Sequence, residues 1–369
     1  MMKKVGREVL FLAADKGPKQ PGEVWNTRNG ESAFIRLLNG DILFAYTEYW
    51  DDSRADDANA CIAALTSHDE GETWGEKRTL FVKPEGCRNI MSVSFMRMGN
   101  GDVGIFFIIK NGDETDKIVL SRSSDEGKTW SEPISVMDCL PKQDYFVLNN
   151  DRVIMLQHGP NKGRIVVPVA RHSVHDPSRR YMPGVVCFFL SDDDGRSWYQ
   201  TEQEIQPLFQ SDWEGMEEPG LYEFENGELW CYIRTQLGFQ FRICSTDSGL
   251  TWTAPEPYYF FTSPCSPMLV KKMHGKTLAV FNPIPANLIR DPKEVWGRTP
   301  YVMAVSDDDG RTFTKEKLFY IEDDLTNGYC YPAMIEVEGG FLLTYYHSNG
   351  SGHCLNSSRI LKISMEELG

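Results

Sequence analysis

One eight-residue pattern, Ser-x-Asp-x-Gly-x-(Thr/Ser)-(Trp/Phe), occurs five times in this chain: "SHDEGETW" from Ser67, "SSDEGKTW" from Ser123, "SDDDGRSW" from Ser191, "STDSGLTW" from Ser245 and "SDDDGRTF" from Ser306. A turn repeated at intervals of tens of residues is the mark of an array of similar units. Each position has a physical reason. The Asp accepts backbone N–H groups of its own turn, the Gly takes a left-handed conformation, and the aromatic packs under the turn between neighbouring sheets. These turns read as structural pins on an outer rim, away from any chemistry.

A second repeat interleaves with the first. A glycine turn runs straight into an apolar strand six times, as in "NGDILFAYTEY" at Gly40, "NGDVGIFFIIK" at Gly101, "KGRIVVPVAR" at Gly163, "NGELWCYIRT" at Gly227, "HGKTLAVFNP" at Gly275 and "GGFLLTYYHS" at Gly340. Such glycines supply the φ > 0 residues of tight hairpins, and the β-branched and aromatic residues after them favour strands. An Asp-containing turn follows each of the first five, so each unit reads as a hairpin, a third strand, the turn and a fourth strand. Four antiparallel strands repeated six times predict an all-β, six-bladed β-propeller. The sixth unit has no such turn, and "REVLFLA" at Arg7–Ala13 is a strand without a hairpin; it is expected to complete the last blade and close the ring. With no linker or long helical period, residues 1–369 are expected to form a single propeller domain. "FNPIPANLIRDPKEVWGRTP" is a long loop within blade five.

Bulk properties narrow the partners. The net charge of −15 has no basic block to offset it, which argues against nucleic acid and against anionic membrane surfaces. The nine cysteines are scattered, odd in number and without a CxxC pair, so reduced thiols are expected. "VLFLAA" near the N-terminus is too short for a signal or spanning segment, and a cytoplasmic, soluble protein is expected. "HSVHD" at His172 has ligand-like spacing, but no third His or Cys lies near it in sequence, so no metal site is assigned.

In a propeller the innermost strand of each blade starts at the mouth of the central channel and the second strand returns there. Counting from each glycine turn puts Glu31, Asn89–Ser92, Asn150 and Asp151, Glu217 and Glu218, Ser266, and Tyr331 at first-strand starts. Glu48, Arg171 and His172, Arg234, Asn282, and His347 fall at second-strand ends. A mouth so rich in ionisable and amide groups is a polar-ligand site.

These residues resemble the sialidase (exo-α-neuraminidase) superfamily of Asp-box glycoside hydrolases, particularly its BNR repeat-like branch, over essentially the whole chain. "EPGLYEFENGELWCYIRT" is similar to the family segment in which a Glu opens blade four and an Arg closes its hairpin, mapping onto Glu218 and Arg234. "GRTPYVMAVSDDDG" resembles the segment carrying a second substrate arginine, Arg298. "GYCYPAMIEVEGGFLLTYYH" resembles the nucleophile segment, with Tyr331. The family's acid-base Asp precedes its first box by eleven residues, which implies Asp56, with Asp57 as the neighbouring alternative. One feature departs from the pattern: Glu31 stands where the family's first arginine would fall, leaving Arg28, Arg88 or Arg171 to take its place.

The resemblance implies a retaining exo-glycosidase acting on a terminal acidic sugar, sialic acid or a relative, with side chains as the whole apparatus and no metal or organic cofactor. The chemistry is coherent on its own terms. A carboxylate on the anomeric carbon repels a carboxylate nucleophile, whereas a Tyr hydroxyl deprotonated toward a Glu does not meet that repulsion. Arginines clamp the substrate carboxylate. Asn150 and Asp151 are candidate substrate contacts beside Arg28 and Glu31. The alternatives are a glycan-binding propeller without catalysis, or a glycosidase of the same fold for a different sugar.

Overall fold

The computed structural model of the chain describes residues 2–111, 116–141, 144–172, 183–206, 215–284 and 296–369. Part of the proline-rich loop of blade five, and all of "HSVHD" beyond His172, lie outside them. Six antiparallel sheets follow one another along the chain, as the interleaved repeats require. Their innermost strands are Trp25–Arg36, Asn89–Arg97, the split pair Tyr145–Val147 and Ile154–Met155, Glu217–Glu223, Leu269–Met273, and Tyr329–Val337. Each is followed outward by three more, and the fourth strand of blade six is Arg7–Leu12, paired antiparallel to Ser357–Ser364. The ring therefore closes with both ends of the chain in one sheet. No helix among the described residues is long and apolar enough to cross a membrane.

The repeated turn makes the bonds that its composition dictates. In the first copy the Ser67 hydroxyl accepts the Gly71 N–H at 2.9 Å, and Asp69 accepts the Thr73 N–H at 2.8 Å and the Thr73 hydroxyl at 2.5 Å. Those bonds from Thr73 lower the Asp69 carboxyl to about 2. The same set recurs around Asp125, Asp193, Asp247 and Asp308. The terminal aromatics fill the space between blades: Trp252 of blade four stacks on Phe188 of blade three at 4.4 Å, and Phe313 of blade five meets Phe261 of blade four at 5.0 Å. Burial between blades, rather than a single central core, carries the stability.

A further sixfold feature sets the channel mouth. Each blade has one non-glycine residue in the left-handed region at the same place, the start of its innermost strand: Glu31 (φ 51°), Ser92 (62°), Asp151 (54°), Glu218 (42°), Cys265 (57°) and Tyr331 (58°). In blades one, two, four and six the pairing register with the second strand slips at this point. These are β-bulges, which re-aim a side chain out of the sheet. A left-handed conformation costs a residue with a Cβ roughly 1–2 kcal/mol. Six such residues around one axis mark the place where the fold carries strain, and strain of this kind clusters at functional sites. In blade five the left-handed residue is Cys265, ahead of the strand, and not the expected Ser266, whose hydroxyl is buried without a partner.

Candidate active site

The bulges of blades four and six turn Glu218 and Tyr331 toward each other. The Tyr331 hydroxyl donates to Glu218 Oε1 at 2.5 Å, and Arg234 Nη1 donates to Glu218 Oε2 at 2.8 Å. Arg234 reaches this point because it closes the second strand of blade four, directly opposite Glu217 in the ladder. Arg298 comes from the segment before the third strand of blade five. It donates to the Cys265 carbonyl at 2.9 Å and to Cys330 Sγ at 3.4 Å, and its guanidinium lies 4.9 Å from the Trp296 ring and 5.7 Å from the Tyr331 ring. Behind it Cys330 and Cys354 touch, Sγ to Sγ, at 3.4 Å; all nine cysteines are thiols.

Burial and then the Glu218 carboxylate push the Tyr331 phenol well above its ordinary range, while Arg234 and Arg298 pull against them. The resting group is a neutral phenol donating to a carboxylate. A proton can pass along that bond when the oxygen forms a new bond elsewhere.

Blade one supplies the opposite wall. Arg28 is wholly buried: Nη2 donates to Glu31 Oε1 at 2.7 Å and to the Tyr346 hydroxyl at 3.2 Å, while Nη1 donates to Asp56 at 2.5 Å and to the Arg54 carbonyl at 3.3 Å. Its guanidinium sits over the Tyr49 ring at 4.3 Å. Tyr346 separates it from Tyr331, the two rings meeting edge to face at 5.8 Å. Arg28 does curl into the region of the missing arginine, but its terminal nitrogens are committed to protein groups. Glu31 is likewise buried, one oxygen on Arg28 and the other on the Tyr49 hydroxyl at 3.0 Å, and desolvation raises it to about 7 against the pull of Arg28. Glu31 is thus a support for Arg28 and not an exposed substrate contact.

Asp56 stands at the solvent side of this wall, with 63% of its side chain exposed. Against the desolvation of the mouth, Arg28 and then Lys110 hold it down at about 2, and Arg234 also draws it lower. It is Asp56 that bonds Arg28, whereas Asp57 instead pairs with Arg88 at 2.8 Å. Arg88 is half exposed on this pair, and Arg171 bonds Glu204 at 2.6 Å; neither fills the place of the first arginine.

Asn150 and Asp151, both expected as substrate contacts, are held by protein groups. Asn150 is fully buried and donates to the Ser32 carbonyl of blade one at 2.8 Å. Asp151 accepts from Lys271 at 2.9 Å and from the Met334 N–H at 3.2 Å. Both lie in the interruption of blade three's innermost strand, between Val147 and Ile154, and tie it to other blades. Asn282 and His347 are also structural: Asn282 donates to the Pro300 carbonyl, and His347 Nδ1 accepts the Asn349 N–H. Sequence reasoning missed Cys265, Tyr346, Trp296 and Lys110. The first was one residue away from Ser266; Tyr346 was visible only as an apolar-strand residue next to His347.

At the mouth of this six-bladed propeller a tyrosine, a glutamate and two arginines converge. The model of the BNR repeat-like domain family matches residues 40–344. The chain belongs to this family. It is 25% identical over 273 residues to the anhydrosialidase of Macrobdella decora, covering 69% of this chain and 33% of that protein, and 25% identical over 240 residues to a sialidase of Bacteroides fragilis, covering 61% and 39%. The chain thus spans between a third and two fifths of the length of these curated relatives. Among solved structures it shares its fold with a leech intramolecular trans-sialidase bound to 2,7-anhydro-Neu5Ac, with a TM-score of 0.74, 14% identity and coverage of 98% of this chain and 70% of that one.

Proposed function

We propose that the protein is a retaining glycoside hydrolase of sialidase type, with Tyr331 as nucleophile, Glu218 as its base and Asp56 as the acid-base, acting on a terminal acidic sugar. The observation that carries this reading is the short bond from the Tyr331 hydroxyl to Glu218, flanked by Arg234 and Arg298. Tyr331 attacks the anomeric carbon and its proton passes to Glu218. The departing glycosidic oxygen takes a proton from Asp56, which then removes one from the water that releases the sugar from Tyr331. The two guanidiniums hold the substrate carboxylate. Asp56 is an anion on Arg28 in the free site, so it has to part from Arg28 before it can carry a proton, and substrate entry is the event that separates them. The names of the relatives, anhydrosialidase and sialidase, support the same class of substrate.

A panel of aryl glycosides including a sialoside tests the reading. The wild type is expected to release the aryl group from the sialoside, and Tyr331→Phe to lower turnover by about 10³-fold or more with its melting temperature unchanged. Turnover by Tyr331→Phe at the wild-type rate overturns the nucleophile assignment. Binding of the sialoside without any turnover assigns the site to glycan recognition, the reading that Glu31 in place of a third arginine favours.

A further inference from the structure

Arg152 is the residue of the channel that the reading above leaves without a role. It is wholly buried, 1% exposed, in the broken inner strand of blade three. Its guanidinium donates to four carbonyls from three blades: Asn150 O at 2.9 Å, Asp151 O at 3.4 Å, Met268 O at 2.9 Å and Pro332 O at 3.5 Å. Its Nε has no partner, and among the described residues it has no carboxylate at ion-pair distance. The adjacent acid, Asp151, is matched by Lys271, which donates to both of its oxygens at 2.9 and 3.1 Å. A buried cation without a counter-ion is expensive, and a side chain that only tied carbonyls together would not need to be charged.

Its position shows where the charge acts. Pro332 directly follows Tyr331, and Gly220 follows Glu218 by two residues. A Cβ on Gly220 would stand 3.1 Å from Arg152 Nε, so the glycine lets the guanidinium press against the underside of the strand that carries Glu218. Against its burial, the groups whose negative charge favours the Arg152 cation are Asp151, Glu218, Tyr301 and Tyr331. Tyr331 itself is faced by Glu218 and Arg234 of blade four, Arg298 of blade five, and Cys330 and Tyr346 of blade six. The Tyr331–Glu218 pair thus has Arg234 and Arg298 at its sides, and Arg152 lies against the two strands that carry it. Of the three, Arg152 is the one that no substrate can reach.

We propose that Arg152 is a positioning residue whose fixed positive charge, held against the strands of the Tyr331–Glu218 pair by carbonyls of blades three, five and six, favours the phenolate that forms during attack. This rests on the nucleophile reading of Tyr331. A preorganised charge aimed at an atom that becomes negative lowers a barrier without having to reorganise, and one that makes no substrate contact does so without altering ground-state binding.

The test separates charge from hydrogen bonding. Arg152→Gln keeps N–H donors for the carbonyls and removes the charge, whereas Arg152→Lys keeps the charge with fewer donors. A fluorinated tyrosine incorporated at position 331 brings the phenol's ionisation into a measurable range, read by absorbance without any turnover. Arg152→Gln is expected to raise the pH of that ionisation by about one unit, and Arg152→Lys by less than half as much. On the best aryl glycoside Arg152→Gln is expected to lower kcat about tenfold with KM little changed, and Arg152→Lys to retain most of the activity. Equal ionisation in all three proteins, or a lysine variant that behaves worse than the glutamine one, overturns the proposal. A chain that folds with neither substitution shows a purely structural tie and overturns it equally. If Tyr331→Phe keeps wild-type turnover while the ionisation shift is present, the nucleophile reading fails and the electrostatic role of Arg152 stands.

Discussion

Asp116, at the start of the third strand of blade two, shows how a single buried acid can set the response of this protein to pH. It is fully buried; Oδ1 accepts the Phe146 N–H at 2.9 Å and Oδ2 has no partner. Desolvation raises it from 3.8 to about 7, against the opposing pulls of the Phe146 N–H, Lys110 and His172. The folded chain therefore holds a proton through a window in which the unfolded chain has lost it. The contribution is full below about pH 4, falls as pH rises and is gone above about pH 7. Its size is on the order of 4 kcal/mol. Glu31, raised to about 7, acts in the same direction. His347, held down near 4 by burial, acts in the opposite one between about pH 4 and 6.5. Urea unfolding of Asp116→Asn beside the parent at pH 5 and pH 8 isolates the residue: the variant is expected to gain on its parent by a few kcal/mol between the two. An unchanged difference would show that Asp116 is ionised in the folded state throughout. At this scale the sequence was legible where a glycine turn anchored the counting, as for Tyr331, Glu218 and Arg234. It was not legible for Arg152 or Asn150, because nothing in "LNNDRV" shows that the inner strand breaks there.

Between residue and molecule, two devices repeat around the ring, and they differed in how visible they were. The Asp-containing turn was legible because its bonds are local, running from side chain to backbone within a few residues. The left-handed mouth residue was not, because no residue type accompanies it: Glu, Ser, Asp, Glu, Cys and Tyr occupy it in turn. Even the turn has a part that local reasoning omits. Gly71 is left-handed at φ 81°, and a Cβ there would fall 2.5 Å from the Leu342 side chain of blade six; Gly40, equally left-handed at φ 92°, faces open space. Alanine at either position incurs the backbone penalty of roughly 1–2 kcal/mol, and at Gly71 it also overpacks the seam between blades, which costs about 1–3 kcal/mol more. Chemical denaturation of the two variants is expected to show Gly71→Ala as the less stable by about that second amount. Equal losses would mean that the glycine of the turn serves its backbone alone and that the seam accommodates the extra methyl.

For the whole molecule, the decisive contact is the one that joins the chain's two ends. Arg7–Leu12 is the outer strand of blade six, in register with Ser358–Lys362, and the residues before it continue the join onto blade five: the Val5 N–H donates to the Tyr320 carbonyl at 2.9 Å, and the Tyr320 N–H to the Lys3 carbonyl at 2.8 Å. Val5 is buried in the cluster that also contains Tyr329, Met334 and Leu343 of blade six. Val9, Leu10 and Leu12 pack against the seam between blades six and one. Removing residues 2–13 strips these apolar groups, worth on the order of 5 kcal/mol at about 25 cal/mol per Å², and leaves Ser357–Ser364 as an unpaired edge that invites association with other chains. Tyr331 lies on the innermost strand of the same blade, three strands inward from the deleted one, so its pairing with Thr344–His347 is not itself removed. The truncated chain is therefore expected to melt about 5–10 °C lower and to associate on concentration, while retaining whatever aryl glycosidase activity the full chain has at low temperature. Scanning calorimetry, light scattering and an assay below the new melting point check the three statements separately. A truncated chain that melts at the parent temperature would show that the ring does not depend on this strand for closure. Loss of activity well below the melting point would show instead that strain at the six left-handed mouth residues is held in place by the closed ring as a whole.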